Sequence, residues 1–215
     1  MGEPDWEALV GVHGELAAVP AALRGSAGGL AAKAGETLFR TATRPTKIFW
    51  VVDGEVRLVR RSRNGAEIVL QRASAGFVAE ASLDSPAYHC DAVAAQDSRL
   101  LAFPINRFRE ALAEDEKFRA FWMRRLAREV RTLRSQSERL ALHSAAERIE
   151  HYIESEGSNG RLELSRTRKA WAAELGLTHE ALYRALAGLQ RSGRIATVEK
   201  DGVLVLSMKR DASHR

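Results

Sequence analysis

Short apolar runs separated by turn residues dominate residues 35–104 and predict an antiparallel β domain. Asp53-Gly54 and Asn64-Gly65 are dipeptides that supply the positive φ angles of tight hairpins, and each lies between apolar runs. We expect about seven or eight short strands here, in a sandwich or small barrel of the jelly-roll kind. Residues 1–34 are rich in Ala and Gly with weak periodicity, so they are expected to form one or two short helices and a loop, with no strand.

The hydrophobic period becomes helical after Pro104, and the second of two predicted helices is long, with Asp115 or a nearby residue able to cap it. Along this helix six residues recur at the alternating 3,4 spacing of a two-stranded seam: Met123, Leu126, Val130, Leu133, Ser137 and Leu140. Two interpretations are open, packing against the same domain and packing against a second copy. A long helix that leaves a small β domain needs its apolar stripe covered, which favours a parallel homodimer.

The last part of the chain has the order of elements of a winged helix-turn-helix. Ser144, with Glu147 three residues later, forms a capping-box pattern at the start of one helix, and the segment 157–160 ends that helix. Two further helices follow, separated by Gly176, where a left-handed or crowded backbone position needs glycine. A strand, an Asp201-Gly202 turn and a second strand then form the predicted wing.

The helix after Gly176 carries residue types that suit a DNA-reading helix. Thr178 is placed to cap it, and Glu180, Tyr183 and Arg184 share one face, opposite an apolar stripe. In a major groove Arg donates two hydrogen bonds to guanine and Glu accepts one from cytosine, so the Glu180-Arg184 pair predicts readout of one G·C base pair. The alternative is an ordinary intrahelical ion pair, because the i, i+4 order is favourable.

Other residues complete the predicted nucleic-acid interface. Thr167 and Arg168 begin the preceding helix, where a hydroxyl, a guanidinium and backbone N–H groups can bind phosphate. His179 and Tyr183 are expected to tune the base positions next to the G·C pair. Arg194 and Lys200 near the wing are weaker candidates for phosphate contacts, because wing charges are often simply solvated.

Charge and composition narrow the class of protein. The 215 residues carry a formal net charge of +5, and the excess of Lys and Arg lies after residue 103, which favours a polyanionic partner. The lone Cys90 excludes an intramolecular disulfide framework and a cluster held by several cysteines of one chain. No apolar run approaches the ~18 residues of a membrane span and no secretory signal is visible, so we expect a cytoplasmic protein without a membrane partner.

Catalysis is disfavoured by the residues that are present. A cupin-like metal site would need several His and a carboxylate inside the barrel, and only His89 of the six His lies in the strand-rich region. The sequence contains no nucleophile elbow, Walker loop or HExxH segment. We therefore expect no catalytic residues and no metal site.

Five segments and their order along the chain carry a family resemblance: GETLFR (35–40), FWVVDGEVRLVR (49–60), NGAEIVL (64–70), AGFVAEASL (75–83) and TRKAWAAELGLTHEALYRAL (167–186). Together with the long helix they resemble the catabolite activator / fumarate-nitrate regulator (Crp/Fnr) family of bacterial transcription regulators. The resemblance implies an α+β protein with three parts. These are a jelly-roll-like β-roll similar to cyclic-nucleotide-binding domains (1–111), a long dimerisation helix (112–142) and a C-terminal winged helix-turn-helix (143–215).

The same resemblance implies a homodimer that binds a pseudo-palindromic site on double-stranded DNA and contacts RNA polymerase. The family's recognition-helix pattern falls on Thr178, His179, Glu180 and Arg184, with His179 where some members have a second Arg. A small-molecule or redox signal at the β-roll is expected to change the packing of the two long helices. The DNA-binding domains would then be re-aimed through a hinge near 142–144.

In members that bind cyclic nucleotides, a Gly-Glu pair and an Arg-Ser pair hold the ribose and the cyclic phosphate. Here the first pair reads Ala79-Glu80 and the second falls near Tyr88-His89-Cys90, with no Arg or Lys between residues 72 and 99. Hydroxyl residues of the long helix that contact the base are replaced by Leu133-Arg134, where Arg134 could substitute for the missing cation. A buried cyclic phosphate without a guanidinium lacks its charge-assisted partner, so cAMP binding of this kind is not expected.

The nature of the effector, or of any cofactor, stays open. His89 or Cys90 could be an axial haem ligand, and a neighbouring His-Cys pair could activate the thiol for oxidation. The simpler interpretation is a strand with one inward cysteine that acts as a small hydrophobic residue. The alternative function is a ligand-binding or haem/thiol sensor whose C-terminal domain acts through protein partners.

Overall fold

The computed structural model describes residues 4–63, 67–164, 167–200 and 202–209. The chain forms two compact units, Met1–Arg125 and Leu126–Arg215, and the division falls within one long helix. The strands of the first unit are β1 (Gly28–Ala32), β2 (Thr37–Phe39), β3 (Lys47–Asp53), β4 (Val56–Arg61), β5 (Glu67–Ala73), β6 (Gly76–Val78), β7 (Asp91–Ala94) and β8 (Ser98–Pro104). Its helices are α1 (Trp6–Val12), α2 (Ala21–Arg24), α3 (Ile105–Glu114) and the first part of α4 (Glu116–Ala141).

Two four-stranded antiparallel sheets, ordered β1-β8-β3-β6 and β2-β7-β4-β5, form the β domain of the first unit. This confirms the predicted antiparallel β-roll. One expectation was wrong, because residues 1–34 do contain a strand. β1 pairs antiparallel with β8 from Gly28↔Ala102 to Ala32↔Ser98. The local sequence of this Gly-rich segment has little preference for a strand, and the segment forms one because it pairs with the edge of β8.

The Asp53-Gly54 dipeptide has the predicted backbone but not the predicted role. Gly54 has φ +89°, and a Cβ at this position would overlap the Ser98 hydroxyl, so only glycine fits. The strands that it joins do not pair with each other, because β3 belongs to one sheet and β4 to the other. The expected hairpin is therefore a crossing between sheets. β4 and β5 do pair antiparallel, and the Asn64-Gly65 turn predicted between them lies outside the described residues.

A buried aromatic cluster joins the start of α4 to the β domain. The Phe77 ring of β6 lies 4.7 Å from Trp50 of β3 and 5.1 Å from Trp122 of α4, both nearly edge to face. Phe108 of α3 contacts the same Trp122 at 4.8 Å. α4 begins as predicted, since the Asp115 carboxylate accepts a hydrogen bond from the Phe118 N–H at 2.8 Å.

The second unit contains the rest of α4 and then α5 (Ala145–Glu156), β9 (Arg161–Leu164), α6 (Arg168–Glu174), α7 (His179–Arg191), β10 (Ile195–Lys200) and β11 (Val203–Met208). The Ser144-Glu147 capping box is confirmed at the start of α5. The strands form one antiparallel sheet, β10-β11-β9, and pack with α5, α6 and α7 around a core that includes Ile149, Trp171, Leu182 and Leu206. No helix in the described segments combines the length and apolar character that crossing a bilayer requires.

Candidate functional site

The turn between α6 and α7 is built around Gly176. Its φ is +65°, and a Cβ there would lie 3.0 Å from Leu140 Cδ2, so both reasons given for a glycine apply. Thr167 caps α6 by accepting from the Ala170 N–H at 3.2 Å, and Thr178 caps α7 in the same way through the Ala181 N–H at 3.1 Å. The two caps and the glycine fix where each helix begins.

One face of α7 is exposed and polar while the other is buried. Leu182, Leu186 and Leu189 pack into the core of the second unit. The predicted DNA-reading residues are all exposed on the outer face: His179, Glu180, Tyr183 and Arg184. Within the part of the chain that the structure describes, Glu180 and Arg184 form no ion pair, so the alternative of an ordinary intrahelical pair is not what the structure shows.

Arg168 lies at the centre of a polar cluster beside α7. Its Nη1 donates to the Tyr183 hydroxyl at 3.1 Å, and its Nη2 pairs with a carboxylate oxygen of Glu199 on β10 at 3.0 Å. The hydrogen bond to Tyr183 is the main reason that the pKa of the Arg168 guanidinium lies above its ordinary value. The His179 ring contacts Tyr183 with 4.7 Å between ring centroids. No local pattern pointed to Glu199, which lies 31 residues from Arg168.

The two wing candidates differ in their surroundings. The hairpin ends with Lys200 paired with Val203 and contains Gly202 at φ +76°, while Asp201 lies outside the described residues. Lys200 is exposed near this tip. Arg194 instead pairs with Glu150 of α5, a carboxyl group whose burial raises its pKa. Both side chains are exposed, and Arg194 is the one that forms an ion pair with a carboxylate of its own chain.

The predicted seam of α4 lies largely on the surface of the single chain. Met123, Val130, Leu133 and Leu140 have exposed fractions of 63, 44, 55 and 48%. Leu126 is half-buried, and Ser137 is exposed. A row of large apolar side chains at seam spacing that is exposed to water over most of its length is unusual on the surface of a monomeric protein.

The β-roll residues that the family resemblance predicts to form a ligand site enclose little space. A cavity of about 40 Å³ is lined by Phe39, Leu58, Gln71, Ala79, Glu80, Ala81, Ser82, His89 and Cys90. Small-molecule sites usually measure roughly 300 to 1,000 Å³, so this cavity has room for only a few waters. Ala79 has φ +75°, a left-handed conformation that disfavours a Cβ, where the family has glycine. The space that these residues enclose is much smaller than a small-molecule site.

The effector candidates Tyr88, His89 and Cys90 differ in burial and in their contacts. Tyr88 is a core residue that stacks on Phe39 at 3.9 Å and donates from its hydroxyl to the Lys47 carbonyl at 3.0 Å. The expected strand at His89 and Cys90 was wrong, because β7 begins only at Asp91. His89 is exposed while Cys90 is buried, and burial raises the pKa of the Cys90 thiol. A thiol that holds its proton more tightly is a poorer nucleophile, which favours the small hydrophobic role.

The predicted phosphate site needs a cation, and the two candidates are Arg134 of α4 and Arg60 of β4. Leu133 and Arg134 of α4 are both exposed and belong to the second unit. The sequence reasoning missed Arg60 of β4, which donates from Nε to the His89 carbonyl at 2.7 Å but does not line the cavity. Among the described residues no group of three or more His, Cys, Asp or Glu side chains is arranged to hold a metal ion.

Comparison with known proteins adds evidence on the fold. The family model of the cyclic nucleotide-binding domain matches residues 30–115, and no curated protein matches the sequence. FixK2 from Bradyrhizobium japonicum is 20% identical with a TM-score of 0.58, covering 86% of this chain and 93% of that one. The c-di-GMP responsive global regulator CLP of Xanthomonas campestris is 17% identical with a TM-score of 0.57, covering 92 and 100%.

A third solved structure agrees with these two. It is a CRP-family transcriptional regulator from Thermus thermophilus that is 20% identical with a TM-score of 0.51, and the likeness covers 83% of this chain and 91% of that one. Identities at this level show a shared fold. Residues 30–115 therefore match the family model of the cyclic nucleotide-binding domain, and the chain shares its fold with these three solved structures.

Proposed function

We propose that the chain is a homodimeric, sequence-specific DNA-binding transcription regulator controlled by a small-molecule or redox signal at its β-roll. The observation that carries the proposal is the outer face of α7, which exposes Glu180 and Arg184 in its first two turns directly after a capped turn. In this account α6, the turn at Gly176 and α7 are a helix-turn-helix, and β10 and β11 are its wing.

Each residue of the interface has a separate task in this proposal. Arg184 donates two hydrogen bonds to a guanine and Glu180 accepts one from the paired cytosine. Tyr183 and His179 contact the neighbouring positions. Thr167 and Arg168, at the start of α6, hold the phosphate backbone and so set the register of α7 in the groove.

The second copy of the chain covers the α4 stripe. Stripe residues are mostly exposed in one chain, and their 3,4 spacing is the one at which two parallel helices bury such residues against each other. Two copies joined in this way would place two α7 helices about 34 Å apart, the distance between successive major grooves on one side of B-DNA. The expected site is therefore two-fold symmetric.

The proposed signal and the proposed role of each segment follow the family resemblance. We assign residues 1–111 to sensing, 112–142 to dimerisation and 143–215 to DNA, with RNA polymerase as a further partner. The signal is one other than cAMP bound in the manner of the cyclic-nucleotide members. The cavity at Ala79, Glu80, His89 and Cys90 holds about 40 Å³, and none of the described residues that line it carries a guanidinium.

Selection of bound duplexes from a random pool tests the proposal. We expect two inverted half-sites with centres about one helical turn apart, and an affinity that falls steeply with salt as counterions are released. A pool that stays random after several rounds, with the protein instead recovered on protein partners, would contradict the DNA-binding role and support the adaptor alternative.

A further inference from the structure

Arg148 of α5 holds the ends of two helices at once. Its Nε donates to the Leu142 carbonyl at 3.1 Å and its Nη2 to the Leu140 carbonyl at 3.4 Å, both at the C-terminal end of α4. Its Nη1 donates to the carbonyls of Leu175 and Gly176 at 3.2 and 3.4 Å, at the C-terminal end of α6. A guanidinium has five N–H donors in a rigid fork, and this one serves four backbone carbonyls.

The physical reason for this arrangement lies in the helix ends. The last carbonyls of a helix have no partner within it and carry the negative end of its dipole, so a cation there is favourable. Arg148 meets two such ends together. A lysine has a single point of charge and cannot span both sets of carbonyls from one position.

The same contact links the α4 seam to the start of α7. Leu140 is the last residue of the seam, and its Cδ2 would lie 3.0 Å from a Cβ on Gly176. Gly176 stands two residues before Thr178, the cap at which α7 begins. Whatever fixes the carbonyls of residues 175 and 176 therefore fixes the direction in which α7 leaves the turn.

The end of α4 and α5 are also attached to each other independently of Arg148. Arg139 of α4 is buried, pairs with Glu156 of α5 at 3.1 Å and lies over the Tyr152 ring at 4.3 Å. A change in how α4 packs would thus carry α5 with it, and α5 carries Arg148.

We infer that Arg148 is a positioning residue that transmits the state of the α4 seam to the turn before α7 and sets the aim of the recognition helix. The inference rests on the proposed function for its consequence, since an aim matters only if α7 reads DNA. It assigns the coupling to one guanidinium and four carbonyls, which can be perturbed without removing any residue from the proposed DNA face.

The experiment compares Arg148→Lys with Arg161→Lys in the full chain. Both variants keep the charge, and Arg161 is an exposed residue of β9 that pairs only with nearby Glu163 among the described residues. We expect Arg148→Lys to raise amide exchange in segments 140–144 and 175–178 together, by about tenfold. We also expect the ratio of affinities for the selected duplex and a random duplex to fall by about fivefold to tenfold, with random binding unchanged. Arg161→Lys should leave both measurements as in the parent chain.

A second pair of variants reaches the contact from the other side and serves if Arg148→Lys does not fold. Gly176→Ala places a Cβ, at a positive φ, 3.0 Å from Leu140 Cδ2 and 3.3 Å from Arg148 Nη1, so it crowds both partners of the contact. Gly193 has a φ of +74°, and a Cβ there would have nothing within 4 Å. Both variants place an alanine at a positive φ and so introduce similar backbone strain. Only Gly176→Ala should lower the ratio of specific to random affinity and raise amide exchange in segment 140–144.

The outcomes separate the two proposals. Unchanged amide exchange in segments 140–144 and 175–178 would show that Arg148 does not hold the ends of α4 and α6 together, whether or not the protein binds DNA. Faster exchange with an unchanged specificity ratio would overturn the positioning role. If the parent chain selects no sequence, the proposed function fails while the exchange data still decide whether Arg148 joins the two helix ends.

Discussion

Arg168 donates a hydrogen bond to the Tyr183 hydroxyl at 3.1 Å while the same guanidinium pairs with Glu199 at 3.0 Å. One cation therefore connects α6, α7 and β10 on the face that we propose contacts DNA. A phosphate that approaches this face must compete with the Glu199 carboxylate for the guanidinium. The acidic residue thus works against DNA binding in this arrangement.

Replacing Glu199 with Gln should tighten DNA binding. The change removes a negative charge from the proposed interface and leaves Arg168 available to phosphate, so we expect about twofold to fivefold higher affinity at low salt. Glu163→Gln, which removes the same charge from the exposed pair with Arg161, is the matched control and should have a smaller effect. Fluorescence anisotropy with the selected duplex measures both, and equal gains would show that only net charge matters.

A lysine in the α4 seam should separate the dimer. Leu133→Lys puts a charge where two copies would bury an apolar side chain, whereas Thr132→Lys puts the same charge at an exposed position beside the stripe. We expect Leu133→Lys to be monomeric at micromolar concentration in analytical ultracentrifugation and Thr132→Lys to stay dimeric. Two dimeric variants would place the interface elsewhere.

Ala79→Gly should stabilise the first unit. The left-handed backbone at φ +75° destabilises the folded state of an alanine by about 1 to 2 kcal/mol. Glycine removes this strain, but it also gives the unfolded chain more conformational entropy, which offsets part of the gain in stability. We expect a net gain of about 0.5 to 1 kcal/mol in urea unfolding. Ala81→Gly, two residues on in a short 3-10 helix without a positive φ, should instead lower stability. Loss of stability in both variants would show that Ala79 is not strained.

Local patterns in the sequence predicted local structure well. The Ser144 cap and the Asp115 cap each depend on residues within one turn of one another, and the positive φ of Gly176 belongs to the short turn between two helices. Partners far apart in the chain were out of reach of such patterns. β1 exists because β8 accepts it, and Gly54 has the expected φ but joins strands of different sheets.

The candidate site shows the same division. The outward face of α7 follows from its period and its cap, so its residues could be named from the sequence. The pairing of Arg168 with Glu199, and the four carbonyls held by Arg148, depend on how separate helices and strands pack. A guanidinium on an exposed-looking helix gives no local sign of which carbonyls it will meet.

The most direct test of the central claim measures Arg184→Ala against duplexes that differ at single base pairs of the selected site. We expect the variant to lose about 1 to 3 kcal/mol on the selected duplex and to become indifferent to the base at one symmetric pair of positions. Arg191→Ala, at the far end of the same helix, should keep the full base preference. A loss from Arg184→Ala that is equal on every duplex, including random ones, would show that this side chain does not read DNA sequence.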